Sequence, residues 1–148
     1  MKKASKQPKH FFQIRGIPGS GKTTVAKVIK SLSPVSVFEV ATDQFWDEDE
    51  EFDPERAEEA HEWCREQVEK ATRKAIRVVI VHNTAAEYWE MENYQEIAED
   101  SGYVYHRIIV EDHHGCGSTK DEVDEKIRDY MERKFQTRIK TDSYMDHD

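Results

Sequence analysis

A chain of 148 residues with 36% hydrophobic residues is long enough for one domain around a single core. Its formal charge of −9 argues against a protein that coats nucleic acid or an anionic membrane without specificity. Two distant cysteines, Cys64 and Cys116, make no disulfide framework, and no apolar run approaches the roughly 20 residues that a membrane helix needs. We therefore expect a cytoplasmic protein with no membrane association and no evident protein partner.

The predicted strands and helices alternate over residues 10–140. A basic N-terminal arm at 1–9 precedes this part of the chain, and a flexible polar tail at 141–148 follows it. Compact apolar runs predict four strands, at 10–15, 35–40, 76–82 and 103–110. Apolar residues at spacings of three and four, together with capping signals, predict four helices, at 22–32, from Asp53-Pro54 to Ala75, at 87–101 with Gly102 as its C-cap, and from Thr119 onward.

Two of these helices are defined by their apolar faces. The long one carries Ala57, Ala60, Cys64, Val68, Ala71 and Ala75, and the last one carries Val123, Ile127, Tyr130 and Met131. Residues 135–139 favour a short additional edge strand. This order predicts an α/β fold with a parallel sheet of four to five strands and helices on both faces. Ligands in such sheets bind beyond the carboxyl ends of the strands, where the loops after residues 15, 40, 81 and 110 lie.

Residues 16–24, GIPGSGKTT, match the spacing G-x-x-x-x-G-K-[ST] of a phosphate-binding loop. Glycines let successive N–H groups point inward at a phosphate, and the following helix adds its positive N-terminal end. Lys22 would bridge the β- and γ-phosphates, and the Thr23 hydroxyl would bind Mg²⁺. The motif predicts a site for ATP or GTP with Mg²⁺. Its nucleotide-binding residues would be Gly16, Ile17, Pro18, Gly19, Ser20, Gly21, Lys22, Thr23 and Thr24.

Asp43 lies in the loop just past the second predicted strand. A carboxylate at that edge would face the γ-phosphate and take the proton from an attacking hydroxyl. The alternative is that Asp43 caps a turn, as loop aspartates commonly do. Position alone leaves both interpretations open.

An acidic run, DEDEEFD at 47–53, follows at once. Such runs are usually solvated faces, but this one would also oppose a long polyanion, whose binding depends on Lys and Arg contacts. The neighbouring aromatic residues, at 45–46 and 88–89, would either pack in the core or stack a base.

The segments RGIPGSGKTT, TDQF, FDPE with EEAHEWC, and HNT with WEM occur in an order that resembles the P-loop 5′-hydroxyl polynucleotide kinase domain. Its small stand-alone phage and animal relatives are especially similar, and the resemblance covers about residues 11–135. The family's general base is the aspartate after strand two, which matches Asp43. The resemblance implies a kinase that phosphorylates the 5′-OH of a nucleic-acid end, in the host cytoplasm if the protein is viral.

Three positions depart from the family's pattern. Trp46 stands where the family has an arginine that holds the acceptor's phosphate. His82, Asn83 and Thr84 stand where strand three usually ends in an aspartate followed by threonine and asparagine. The lid segment at 111–120 contains no arginine, whereas the family's lid is rich in them. The acceptor-side candidates are therefore Phe45, Trp46, His82, Asn83 and Thr84.

The charge that the lid lacks would come from Arg133, where the stand-alone relatives carry arginine, or from His113 when protonated. His113, His114 and Cys116 do not predict a transition-metal site, because a structural zinc usually takes four ligands from two paired motifs. His82 could equally be a core-edge histidine. A nucleoside or other small-molecule kinase, and a nucleotide-binding module without catalysis, remain as alternative functions.

Overall fold

A computed structural model describes residues 7–84 and 88–111, together with residues 126, 130 and 133–135. Strands and helices alternate along this part of the chain: β1 (Lys9–Arg15), α1 (Lys22–Leu32), β2 (Val37–Val40), α2 (Ala57–Arg73), β3 (Val78–Asn83), α3 (Tyr88–Asp100) and β4 (Tyr103–Ile109). Two short 3₁₀ turns, Thr42–Phe45 and Pro54–Arg56, lie between β2 and α2. None of the helices in this part is long and apolar enough to cross a membrane.

The four strands form one sheet in the order β2-β3-β1-β4, and every neighbouring pair is parallel. The central strand β1 places Arg15 opposite Asn83 of β3 and opposite Ile109 of β4. Because all strands run the same way, their carboxyl ends share one edge, and the following loops meet there. The predicted α/β class is confirmed.

Helices cover both faces of the sheet. On one face, Cys64 and Val68 of α2 and Ala98 of α3 pack with Phe11 and Val79 of the sheet, and all five side chains are fully buried. On the other face, Ala26 of α1 packs against a second set of sheet residues, Ile14, Val78 and Ile80. Apolar side chains at helical spacing thus form two cores, as the sequence predicts.

The boundaries of α2 differ from the prediction at both ends. Asp53 accepts a hydrogen bond from the Glu55 N–H at 3.0 Å, as predicted for a capping residue, but Pro54–Arg56 forms a 3₁₀ turn before the α-helix begins at Ala57. At the other end, Ala75 does not belong to the apolar face: it is exposed, lies beyond the last residue of α2, and has a φ of 55°. A left-handed residue cannot continue a right-handed helix, so the buried face ends at Ala71 and Thr72.

Several predictions concern residues outside the described part of the chain. These are residues 1–6 of the arm predicted at 1–9, the start of the last helix at Thr119 with Val123, Ile127 and Met131, residues 136–139 of the strand predicted at 135–139, and the tail at 141–148. Phe135, the first residue of that predicted strand, is described and is not in a strand. Residues 126, 130, 133 and 134 are helical, but Tyr130 is 56% exposed and is not part of a buried face. Its ring instead contacts the Lys134 ammonium, one helical turn on, at 5.6 Å. Gly102, with a φ of 76°, directly follows the turn that ends α3, as predicted.

Candidate active site at the carboxyl edge of the sheet

The glycine loop connects β1 to α1 and is tightly packed. Gly19 and Gly21 have φ values of 81° and 105°, a region that side chains other than glycine rarely adopt. A Cβ atom at Gly16 would lie 2.4 Å from the Ser20 hydroxyl and 2.7 Å from the Val110 carbonyl oxygen. The loop therefore needs glycine at these positions, as expected for a backbone that closes around a phosphate.

Lys22 begins α1 and reaches back over the loop. Its ammonium donates hydrogen bonds to the carbonyl oxygens of Gly16 at 2.8 Å and Ile17 at 3.0 Å. Burial lowers the pKa of Lys22 from 10.5 to about 8, and the nearby Asp43 carboxylate opposes this shift. The lysine is therefore mostly charged at pH 7, and it lies over the same loop whose N–H groups would hold a phosphate.

Asp43 lies in the 3₁₀ turn Thr42–Phe45, directly after β2, and its side chain is exposed. It is close enough to raise the pKa values of both Lys22 and His82. Within the described residues its carboxylate accepts no hydrogen bond, and the N–H of Ala41 at the start of the turn bonds to the Gln44 side chain instead, at 3.3 Å. Within the described residues the Asp43 carboxylate therefore does not cap its own turn, and it lies near enough to Lys22 and His82 to act on their charge.

His82 lies near the end of β3 and is only 6% exposed. Its Nε2 atom is 3.1 Å from the Glu39 Oε1 atom on the neighbouring strand β2. Burial lowers the pKa of His82 below its usual value, although Glu39 opposes the shift, and Lys22 lowers the pKa further. His82 is thus a buried, paired side chain close to the glycine loop. Its partner Glu39 supplies a carboxylate from β2, whereas β3 itself contains no acidic residue.

Oxygen atoms at this edge fit a triphosphate with Mg²⁺. Ser20 Oγ and Asn83 Oδ1 are buried and have no hydrogen-bond partner within the described part of the chain. Thr23 and Thr24 are exposed in the first turn of α1, and Thr84 is half-buried just after β3. Hydroxyl and amide oxygens are hard ligands of the kind that Mg²⁺ prefers. No cluster of three or more His, Cys, Asp or Glu side chains occurs among the described residues.

The lid candidates are only partly covered by the structure. His113, His114 and Cys116 lie outside the described residues. Arg133 is helical and exposed, and the guanidinium of Arg15 lies 4.5 Å from the ring centroid of Phe135, two residues further along. Because Arg15 is the last residue of β1, this contact holds the chain around residue 135 near the glycine loop.

Three residues near this edge were not among the sequence candidates: Arg15, Glu39 and Arg56. Arg15 directly precedes the glycine loop and is completely buried. Its position at the end of an apolar strand was a signal in the sequence, because a buried arginine is normally paired with polar groups. Glu39 carried a similar signal, as a carboxylate inside the run VSVFEV. Arg56, whose guanidinium lies over Phe45 and Trp46, gave no such signal, because its contacts depend on how the loop folds.

Residues 12–114 match the AAA domain family AAA_33. Human NEDD4-binding protein 2 is 33% identical over 91 residues, which cover 61% of this chain and 5% of that protein. The chain thus spans only a small part of this curated relative.

Solved structures share the fold at low identity. A chain of the Pnkp1/Rnl/Hen1 complex superposes with a TM-score of 0.57 at 16% identity, covering 96% of this chain and 44% of its own length. The APS kinase CysC of Mycobacterium tuberculosis, in complex with AMPPNP and APS, has a TM-score of 0.50 at 17% identity, with coverages of 70% and 63%. A sugar kinase from Janibacter has a TM-score of 0.52 at 13% identity, with coverages of 94% and 75%. With the family match over most of the chain, these likenesses lead to one conclusion: the chain belongs to the AAA domain family AAA_33 and has the fold of a P-loop kinase.

Proposed function

We propose that this domain is a phosphotransferase that moves the γ-phosphate of ATP or GTP to a hydroxyl, with the 5′-OH of a nucleic-acid end as acceptor. One observation carries the proposal: Lys22 and Asp43 lie at the same edge of the sheet, close enough that the Asp43 carboxylate raises the pKa of Lys22. This proximity supports a site that combines a cation for the transferred phosphate with a base for the acceptor.

The reaction then follows from these two side chains. The acceptor oxygen attacks the γ-phosphorus, the bond to the oxygen that bridges the β- and γ-phosphates breaks, and the nucleoside diphosphate leaves. Asp43 takes the proton of the acceptor hydroxyl, and Lys22 stabilises the charge on the β- and γ-phosphates. Mg²⁺, bound through the Thr23 hydroxyl, would supply further neutralisation of the phosphate charge.

A nucleic-acid acceptor is supported by the resemblance of the ordered motifs to polynucleotide kinases. It is also supported by the shared fold with a chain of the Pnkp1/Rnl/Hen1 complex. A small acceptor such as a nucleoside is the second candidate, because residues 47–51 all carry exposed acidic side chains directly after the turn with Asp43. Their charge would oppose a long polyanion.

An acceptor panel tests the proposal. The wild type would be incubated with ATP or GTP labelled at the γ-phosphate and with 5′-OH RNA, 5′-OH DNA, nucleosides and water as acceptors. We expect label on the 5′ ends, with little on nucleosides. Label on nucleosides alone would support the small-molecule kinase instead. Tight binding of the triphosphate without transfer to any acceptor would support a nucleotide-binding module.

For the lid, we propose that Arg133 supplies the charge that stabilises the transferred phosphate, with His113 as the alternative. The proximity of Phe135 to Arg15 supports Arg133, because it brings the end of this helix towards the glycine loop. A cation at the transferring phosphate is worth about 10³- to 10⁵-fold in rate.

Measuring rate against pH separates these two residues. With Arg133 as the clamp, Arg133→Ala should lose most of the transfer rate, while the wild-type rate shows no fall as pH rises through about 6.5, since arginine stays charged. With His113 as the clamp, the rate should fall as pH rises through about 6.5, and His113→Gln should remove both the rate and that dependence. Full activity in both variants would contradict both assignments.

A further inference from the structure

The loop that carries Asp43 also carries an aromatic surface, formed by Phe45, Trp46 and Phe52 with Arg56. The rings of Phe45 and Trp46 meet edge to face, with centroids 5.0 Å apart and planes at 83°. Trp46 and Phe52 do the same at 5.6 Å and 77°. Phe52 is 64% exposed and Trp46 is half-buried, so the outer part of this surface is accessible to a ligand.

Arg56 lies over the same rings. Its guanidinium carbon is 5.3 Å from the Phe45 centroid and 5.5 Å from the Trp46 centroid, within the range of cation–π contact. Its nitrogens also pair with Glu50 at 3.2 Å and with Glu59 at 3.1 Å. The side chain is 43% exposed, so an incoming anion can reach it and replace one of these carboxylates.

The members of the surface differ in what they do for the fold. Phe45 packs against Trp63 of α2 at 6.0 Å and thereby fixes the turn to the helix. Trp46 and Phe52 extend outward from this anchor. The outer rings are therefore held by a packed inner ring and remain available for contact with a ligand.

The surface is also placed next to the proposed base. The Trp46 N–H donates to the Asp43 carbonyl oxygen at 3.3 Å, which closes one 3₁₀ turn. Trp46 directly follows this turn, and Asp43 is its second residue. A ligand that stacks on Trp46 would therefore lie within one turn of the chain from the residue that carries the proposed base.

We propose that the aromatic surface holds the terminal nucleotide of the acceptor, with its unpaired base against Trp46 and Phe52 and its first phosphate at Arg56. The proposal rests on the function proposed above. Stacking on aromatic rings suits every nucleobase, and a guanidinium can pair with phosphate through two hydrogen bonds. The base is neutral, so the surrounding carboxylates do not oppose it.

The negative charge of the acidic loop limits how many nucleotides of the acceptor can bind. Beyond the first phosphate, a strand passing this loop would meet the exposed acidic residues 47–51. We therefore expect contact with one nucleotide unit, a weak dependence on acceptor length, and a weak dependence on salt. For a single strand that neutralises one phosphate, the slope of log K against log salt would be about −0.7.

A binding experiment tests the aromatic surface without requiring transfer of phosphate. Adenosine 3′-monophosphate and uridine 3′-monophosphate would be titrated into the full chain, with isothermal titration calorimetry as the readout for the wild type and every variant. We expect both to bind, and Trp46→Ala to weaken binding by about 5- to 150-fold, the range for the loss of one base–aromatic stack. Phe52→Ala and Arg56→Ala, followed by calorimetry, should also weaken binding. The matched control is Arg73→Ala, which removes an exposed arginine that pairs with Glu69 at 3.8 Å near the far end of α2.

Kinetics give a second readout. In Trp46→Ala and Arg56→Ala the KM for a 5′-OH acceptor should rise, while the KM for ATP stays at the wild-type value. A dinucleotide and a 12-residue strand should be used about equally well, and a blunt duplex end, whose terminal base is paired, less well. A KM for ATP that rises in parallel would indicate general damage and would overturn the proposal.

These experiments distinguish failure of the proposed phosphoryl transfer from failure of the aromatic surface as an acceptor site. If no acceptor is phosphorylated but the nucleoside monophosphates bind and the variants weaken that binding, the site stands and the reaction does not. If transfer occurs but Phe52→Ala and Arg56→Ala bind and react like wild type, with an unchanged unfolding temperature that shows an intact fold, the aromatic surface does not hold the acceptor. Absence of binding at millimolar monophosphate would also overturn it.

Discussion

Replacing Lys22 with alanine is expected to weaken the binding of MgATP by at least about 100-fold, since each hydrogen bond to a charged group is worth about 1.5–3 kcal/mol. The ammonium lies over the glycine loop, where it bonds to the carbonyl oxygens of Gly16 and Ile17. A phosphate held by the N–H groups of that loop would lie against it. Isothermal titration calorimetry with the wild type and the variant measures the change directly.

The control for this variant is Lys27→Ala, which removes an exposed lysine from the same helix. Its affinity for MgATP should stay close to that of the wild type. Thermal unfolding of both variants shows whether the fold is intact, because Lys22→Ala also leaves two loop carbonyls without their lysine partner. Unchanged affinity in Lys22→Ala would show that the glycine loop does not hold the triphosphate.

Asp43→Asn is expected to slow phosphoryl transfer by about 10²- to 10⁴-fold, the usual cost of losing a general base. Asparagine has the same shape as aspartate but does not accept a proton at neutral pH. The carboxylate bonds to no other described residue, so its replacement should leave the 3₁₀ turn intact. Single-turnover transfer of labelled phosphate to a 5′-OH acceptor gives the rate of the chemical step.

Affinity for MgATP separates this effect from a loss of binding. It should stay near the wild-type value in Asp43→Asn, because the aspartate is assigned to the acceptor and not to the donor. The matched control is Asp47→Asn, which neutralises another exposed carboxylate four residues along and should transfer at the wild-type rate. If Asp43→Asn transfers as fast as the control, Asp43 is not the base.

The sequence predicted the layout of the fold well because that layout depends on local patterns. The compact apolar runs became parallel strands, and the stripe from Ala60 to Ala71 became the buried face of α2. The end of α2 could not be predicted from that stripe. Ala75 continues the apolar spacing, but it adopts a φ of 55° where the chain turns towards β3, a choice made by the tertiary path and not by the residue.

The site was predictable only where a motif defined it. The glycine loop and Asp43 follow from spacing and from the order of the strands. The pairing of His82 with Glu39 required the register between β2 and β3, which apolar runs alone do not specify. The contacts of Arg56 with Phe45 and Trp46 required the path of an irregular loop, which no periodic pattern encodes.

The central position of β1 in the sheet gives the two halves of the site different dynamics. The glycine loop follows a strand that is hydrogen-bonded on both sides, to β3 and to β4, and whose last two side chains, Ile14 and Arg15, are fully buried. We expect such a strand to open only when most of the domain unfolds. Asp43 and the aromatic surface follow β2, which pairs with β3 at one end of the described strand order and leads into an exposed acidic loop. We expect amide exchange there to occur through small local openings. The donor phosphate would thus be held on the slowest part of the molecule, while the acceptor side can adjust on a faster timescale and admit ends of varied sequence.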